Sequence, residues 1–218
     1  MANKYPERKI DITKVVSVLA ITVLLFVAGI LFGQFLTNQK YADIKTIDQN
    51  LVLELQDLEV QTALASNYPC SNFALYALGD RIDELGSKIT SLENQIGKNN
   101  PKVIELKRPY TLLLIKHYLL IKDRISKCNE NYVTILFFYS NKPENVDASE
   151  RQGYIFGFLA NKYSYDKVKV YSIDGDLDLG TIKALKNLYN VTVYPTTVIN
   201  DQVLVGFHSK EEFEKYFN

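Results

Sequence analysis

The run Val15 to Leu36, VVSVLAITVLLFVAGILFGQFL, carries no charged side chain over 22 residues, and only Ser17 and Gln34 are notably polar. As a helix it would rise about 33 Å, enough to cross a hydrocarbon core of about 30 Å. A cleaved signal peptide is the competing reading, but its apolar core runs about 7–15 residues and ends in a small-x-small site, which is missing here. The segment therefore predicts an uncleaved signal anchor in membrane lipid. Lys4, Arg8, Lys9 and Lys14 precede it, whereas Lys40 and Lys45 beyond it are diluted by Asp43, Asp48, Glu54 and Asp57. Positive charge is retained inside. Residues 1–14 thus read as a cytoplasmic tail, 15–36 as a single span, and the remainder as lying outside the cytoplasm. Gly29 and Gly33 stand four apart on the span and offer a small-residue face for a homodimer, with the plain abundance of glycine in membrane helices as the other reading.

Lys and Arg number 25 and Asp and Glu number 25. That balance excludes a general nucleic-acid binder, which needs a basic excess to displace counterions from phosphates. Two cysteines and two histidines, His117 and His208, make no zinc-type cluster, so neither a metal nor a cofactor is expected. Both histidines read as ordinary surface or boundary residues.

Residues 37–128 read as a helical stalk carrying a hairpin. Ile44, Ile47, Leu51, Leu55 and Leu58 continue the first helix outward, and Ser66-Asn67-Tyr68-Pro69 breaks it. Ser71 or Asn72 is placed to cap the next helix. There Leu75, Leu78, Ile82, Leu85, Ile89, Leu92 and Ile96 alternate steps of three and four, a coiled-coil-like seam. Gly97 to Pro101 is a turn, with Asn100 as N-cap and Pro101 at the first position of a third helix. That helix reaches about Lys127 and is interrupted by Pro109. Cys70 and Cys128 each lie 29 residues from Asn99 in the turn. Equal antiparallel helices bring such mirror positions together, so a structural disulfide is expected, worth about 4 kcal/mol by loop entropy. The alternative is a redox-active pair, although low-pKa cysteines usually sit close together at a helix start.

Residues 129–218 read as a separate domain, in which the period changes from Tyr132. Val133–Tyr139 reads as a buried strand, Glu150–Tyr163 as a helix and Lys167–Ile173 as a second strand. Leu179–Tyr189 follows as a helix, Thr196–Ile199 and Gln202–Phe207 as a hairpin across Asn200-Asp201, and Lys210–Phe217 as a last helix. This is a mixed α/β unit with its sheet covered on both faces. Asp174-Gly175-Asp176-Leu177-Asp178 fails the calcium-loop pattern and reads as a turn in which Asp178 caps the next helix. Asn190-Val191-Thr192 matches the glycosylation sequon.

The order of elements in 129–218, with Val193-Tyr194-Pro195-Thr196 before the third strand, resembles the thioredoxin fold. The resemblance implies a cis peptide before Pro195 and a peptide-binding groove beside Tyr194, Pro195 and Thr196. Phe138-Tyr139-Ser140 and the polar turn after it resemble the approach to the C-x-x-C motif of that family, and aligning helix starts puts Val146-Asp147-Ala148-Ser149 on the motif. Here the chain departs from the family. Valine has no heteroatom, and dithiol exchange requires a thiolate. Ser149 has no histidine beside it in sequence to activate it, and as an N-cap for a helix starting at Glu150 it is fully explained.

The sequence thus predicts a membrane-anchored, redox-inactive thioredoxin-like protein that binds or scaffolds a protein or peptide partner, in a chaperone-like role. A component of a thiol-disulfide oxidoreductase system, or an inactivated variant of such an enzyme, stays open as the alternative.

Overall fold

The computed structural model describes residues 12–217 apart from Asp166, and the side chains of Lys14, 35–52, 54, 55, 65, 66 and 74 are also outside the description. The flanking charges Lys4, Arg8, Lys9, Lys14, Lys40 and Lys45, and the stalk positions Ile44, Ile47, Leu51 and Leu55, therefore lie outside the described side chains. Two compact units divide the chain, Met1–Asp57 and Leu58–Asn218.

Helix α1 runs over Ile12–Asn67. Its stretch Val15–Gln34 has a mean hydropathy of 2.9 and buries none of its side chains. Ser17 Oγ donates to Thr13 O at 2.9 Å and Thr22 Oγ to Val18 O at 2.8 Å. The hydroxyls are thus satisfied within the helix. A methyl group added to Gly29 or Gly33 would meet no atom within 4 Å.

The second unit begins with a helical hairpin, α2 over Phe73–Ile96 and α3 over Pro101–Cys128. Gly97, at φ +91°, turns the chain, and Asn100 caps α3 by accepting from Lys102 N at 3.0 Å. Leu78, Leu85 and Ile89 of the α2 seam are buried against α3, and α3 continues through Pro109. Asn72 does not cap α2 with its side chain; its Oδ1 accepts from Arg124 at 2.8 Å. Arg124 also donates to Ser71 O at 2.7 Å and to the Glu130 carboxylate. This guanidinium knot closes the open end of the hairpin, where Cys70 and Cys128 are bonded with Cα atoms 5.6 Å apart.

Strand β1 (Val133–Tyr139), helix α4 (Val146–Tyr163), strand β2 (Val168–Asp174) and helix α5 (Gly180–Leu188) follow, then strands β3 (Thr196–Ile199) and β4 (Gln202–Val205) and helix α6 (Lys210–Glu214). The sheet order is β2-β1-β3-β4, with β1 and β2 parallel and the other pairs antiparallel. Asn200 and Asp201, at φ +46° and +71°, form the tight turn between β3 and β4. Alternation along β1 sends Leu136 and Phe138 to one face and Ile135 and Phe137 to the other. The first face packs with Ile182 and Leu185 of α5, the second with Phe156 and Leu159 of α4 and Phe213 of α6.

Helix α3 belongs to the first face. Leu114, Ile115 and Tyr118 sit in one cluster with Leu136, Phe138, Tyr171 and Ile173. The boundary expected at 128/129 is therefore not one between compact units, and α2 and α3 are not a free stalk. Leu112 to Ile115 is four apolar residues in succession, which no single-faced helix can leave in water. Asp178 does not cap α5 either, since Leu179 holds that position and the exposed Asp178 pairs with Lys183 at 2.5 Å.

His117 is not a surface residue. It is buried on α3 with Nδ1 2.7 Å from Tyr171 Oη. Burial, with the nearby Lys169 charge, lowers its pKa from 6.5 to about 4. The unfolded chain therefore binds an extra proton between those values, so stability is undiminished above pH 6.5 and falls as pH drops toward 4. The full loss is about 3 kcal/mol at most. His117→Asn should flatten this acid limb in urea unfolding curves taken from pH 7 to pH 4; an unchanged limb would show that His117 is not its source.

Candidate functional site

The C-terminal end of β1 feeds the polar turn 140–145, and α4 begins at Val146, four residues earlier than expected. Val146, Asp147, Ala148 and Ser149 thus form the first turn of α4. Ser149 is not its N-cap. It is buried, and its Oγ accepts from Ser140 N at 3.3 Å. Neither histidine reaches it, because His117 is committed to Tyr171 and His208 to Val205 O and Glu212. The exposed Asp147 lies 3.7 Å from Arg151.

The turn is held from below by the loop after β2. Asp176 Oδ2 accepts from Ser140 Oγ at 2.7 Å and Asn141 N at 3.2 Å, while Asp174 Oδ2 accepts from Asn141 Nδ2 at 2.9 Å. Gly175 between them allows Tyr194 to close in; a Cβ there would stand 2.3 Å from the tyrosine ring. Tyr194 Oη donates to Gly175 O at 3.0 Å. The next peptide, Tyr194-Pro195, is cis. Pro195 is buried one residue beyond the Phe138↔Thr196 pair, so it flanks the end of β1 from the β3 side, and its carbonyl accepts from Gly206 N at 2.8 Å. Thr196 Oγ donates to Val193 O at 2.7 Å.

The cavity lies on the other flank of β1. A space of about 780 Å³ opens between α2, α3 and the β2 edge, and its lining includes Lys107, Tyr110, Tyr139 and Ser172 but none of Tyr194, Pro195 or Thr196. A smaller space of about 170 Å³ shares Glu93, Tyr139 and Ser172 with it and ends at Ser140, Ser149 and Glu150. These two spaces lie on the β2 side of β1, while on the β3 side Tyr194 folds down on Gly175.

At the floor is an ionic cluster that spacing in the sequence did not reveal. The Lys107 side chain is 5% exposed, its Nζ lying 2.6 Å from Glu93 Oε1 and 3.3 Å from Asp174 Oδ2, with Tyr139 Oη at 3.5 Å. Burial pushes the Tyr139 phenol well above its usual range, and Asp174 and Glu93 add to this. Burial likewise raises Tyr110, with Asp83 and Glu93 contributing. These groups come from α2, α3, β1 and β2, so only the fold assembles them. Among the described residues no group of three or more His, Cys, Asp or Glu side chains is placed to hold a metal ion. Asn190 is exposed, at φ +53° after α5.

No family model matches the chain, and no curated protein does. Among solved structures it is similar to that of chloroplastic thioredoxin z, with 17% identity and a TM-score of 0.33 over 44% of this chain and 84% of that one. The mixed helix-and-sheet architecture is consistent with a thioredoxin-like part.

Lys107→Met removes the cation shared by the buried Asp174 and the half-buried Glu93 and should destabilise the protein by about 3 kcal/mol. Tyr139→Phe removes only a long contact and should cost under about 1 kcal/mol. Urea denaturation of both variants checks the ordering; equal losses would mean that Lys107 is not the keystone of the cluster.

Proposed function

We propose that this chain is a single-pass membrane protein whose Leu58–Asn218 unit stands outside the cytoplasm as a redox-inactive, thioredoxin-like binding subunit. The cysteine inventory carries the non-catalytic reading: both cysteines are bonded to each other at the base of the hairpin, and the first turn of α4 holds no thiol. Without a thiolate at that turn no disulfide exchange can start there. The cis Pro195 and the turn after β1 support the thioredoxin-like assignment. The exposed apolar surface of Val15–Gln34 supports the anchor, and a bonded cysteine pair fits an oxidising compartment. On the span, Gly29 and Gly33 form the face through which a second copy would pack. In the same compartment Asn190 would be open to glycosylation.

A second reading, membership of a thiol-disulfide relay, is favoured by one observation. Cys70 is exposed, so a partner thiolate can reach the bridge.

Protease added to intact cells should remove the C-terminal unit; removal of the first residues alone would reverse the topology. The purified chain should neither reduce nor oxidise model disulfides, and the pair Val146→Cys with Ser149→Cys, one helical turn apart, should then oxidise to a bond. Wild-type turnover that persists after replacing Cys70 and Cys128 with serine would refute the non-catalytic reading.

A further inference from the structure

Strand β2 ends the sheet, and its pairing with β1 leaves a definite set of backbone groups unused. Val133 N donates to Lys167 O at 2.9 Å and Gly175 N to Tyr139 O at 2.8 Å, bracketing the ladder. Because successive residues of a strand direct their N–H and C=O to opposite sides, the odd-numbered residues 167–175 face β1 and the even-numbered ones face outward. Val168 N is taken by Ser164 O, and Asp174 O accepts from Leu177 N. The N–H and C=O of Val170 and Ser172 have no backbone partner among the described residues. Ser172 is exposed and borders the larger cavity.

The opposite wall is the polar side of α2. From Ile82 to Asn94 it runs about 18 Å at helical rise. Five residues of extended chain span about 17 Å. The volume of about 780 Å³ is of ligand-pocket size. Along this wall the Asn94 amide offers a donor and an acceptor, while the Ser87 and Thr90 hydroxyls, which donate to Asp83 O and Gly86 O, offer acceptors. The charge is negative: Lys107, the cation of this lining, is already held by Glu93 and Asp174, and the exposed Asp83 forms no ion pair among the described residues. Tyr110 stands beside Asp83, its phenol raised partly by that carboxylate.

We propose that this groove takes an extended polypeptide segment bearing a lysine or arginine, which adds as a strand to the Val170–Ser172 edge and sets its cation against Asp83. A free strand edge selects a ligand with matching main-chain donors and acceptors, which only another polypeptide repeats at strand spacing. The unpaired carboxylate selects the side chain. This deepens the binding reading above by naming the occupant and moving it from the Pro195 flank to the β2 flank.

The test uses the full-length chain in lipid nanodiscs and fluorescein-labelled Thr-Val-Lys-Val-Thr, read by anisotropy. Two controls accompany it, the peptide with glutamate in place of lysine and the lysine peptide N-methylated on its backbone. The lysine peptide should bind at least tenfold more tightly than either control. Ser172→Trp, which fills the groove from an exposed position, should abolish binding. Asp83→Lys on the exposed face of α2 should abolish or reverse the preference for lysine over glutamate. Absence of binding, equal binding of the three peptides, or binding unchanged by Asp83→Lys would overturn the proposal. None of those results would touch the redox-inactive reading, whereas thiol turnover would sink that reading and leave the peptide result standing.

Discussion

The Lys107 ammonium is the point at which the second unit is tied together. It lies on α3, yet its two carboxylate partners belong to α2 and to the end of β2, and the Tyr139 hydroxyl approaches from the end of β1. A buried cation is tolerated only where opposite charge and hydrogen bonds replace its water. The helical hairpin and the sheet edge therefore have to be in place together. Asp174 extends the tie, since the oxygen that faces Lys107 also accepts from Asn141 in the turn before α4. One ionic cluster thus reaches both the cavity floor and the turn.

That turn lacks the thiols that a thioredoxin-type oxidoreductase uses, but it is not loosely built. Asp176 gathers Ser140 and Asn141, Ser149 receives the Ser140 N–H, and Gly175 admits Tyr194 from the far side. Asn141 N, Ser140 N and the Gly175 carbonyl are backbone groups fixed by these contacts, while the bond from Ser140 Oγ to Asp176 ties the turn to the loop after β2.

Helix α3 carries the architectural consequence. Its Leu114, Ile115 and Tyr118 complete the core over β1 and β2, while α2 packs along it with Leu78, Leu85 and Ile89. A helix buried on more than one side cannot be a spacer. It also positions α2 alongside the sheet edge, which is how the cavity arises.

The periodicities of the chain determined most of its elements: an apolar run long enough to span a bilayer, a three-four seam on α2, mirror-placed cysteines, and strands at 133–139 and 196–199 were all legible. These are local signals, set by the 3.6-residue and 2-residue repeats of the backbone. What each face meets was decided only by tertiary structure. His117 sits in a stretch whose helical character was plain, but its burial against Tyr171 depends on β2, 54 residues further on. The start of α4 at Val146 depends on hydrogen bonds from the turn to Asp176. The Lys107, Glu93 and Asp174 cluster joins three elements, and two of its charges lie 67 residues apart in sequence. Pairing of charges so distant leaves no local pattern, because the energy that selects it, relief of a buried charge, exists only once the chain has closed around it.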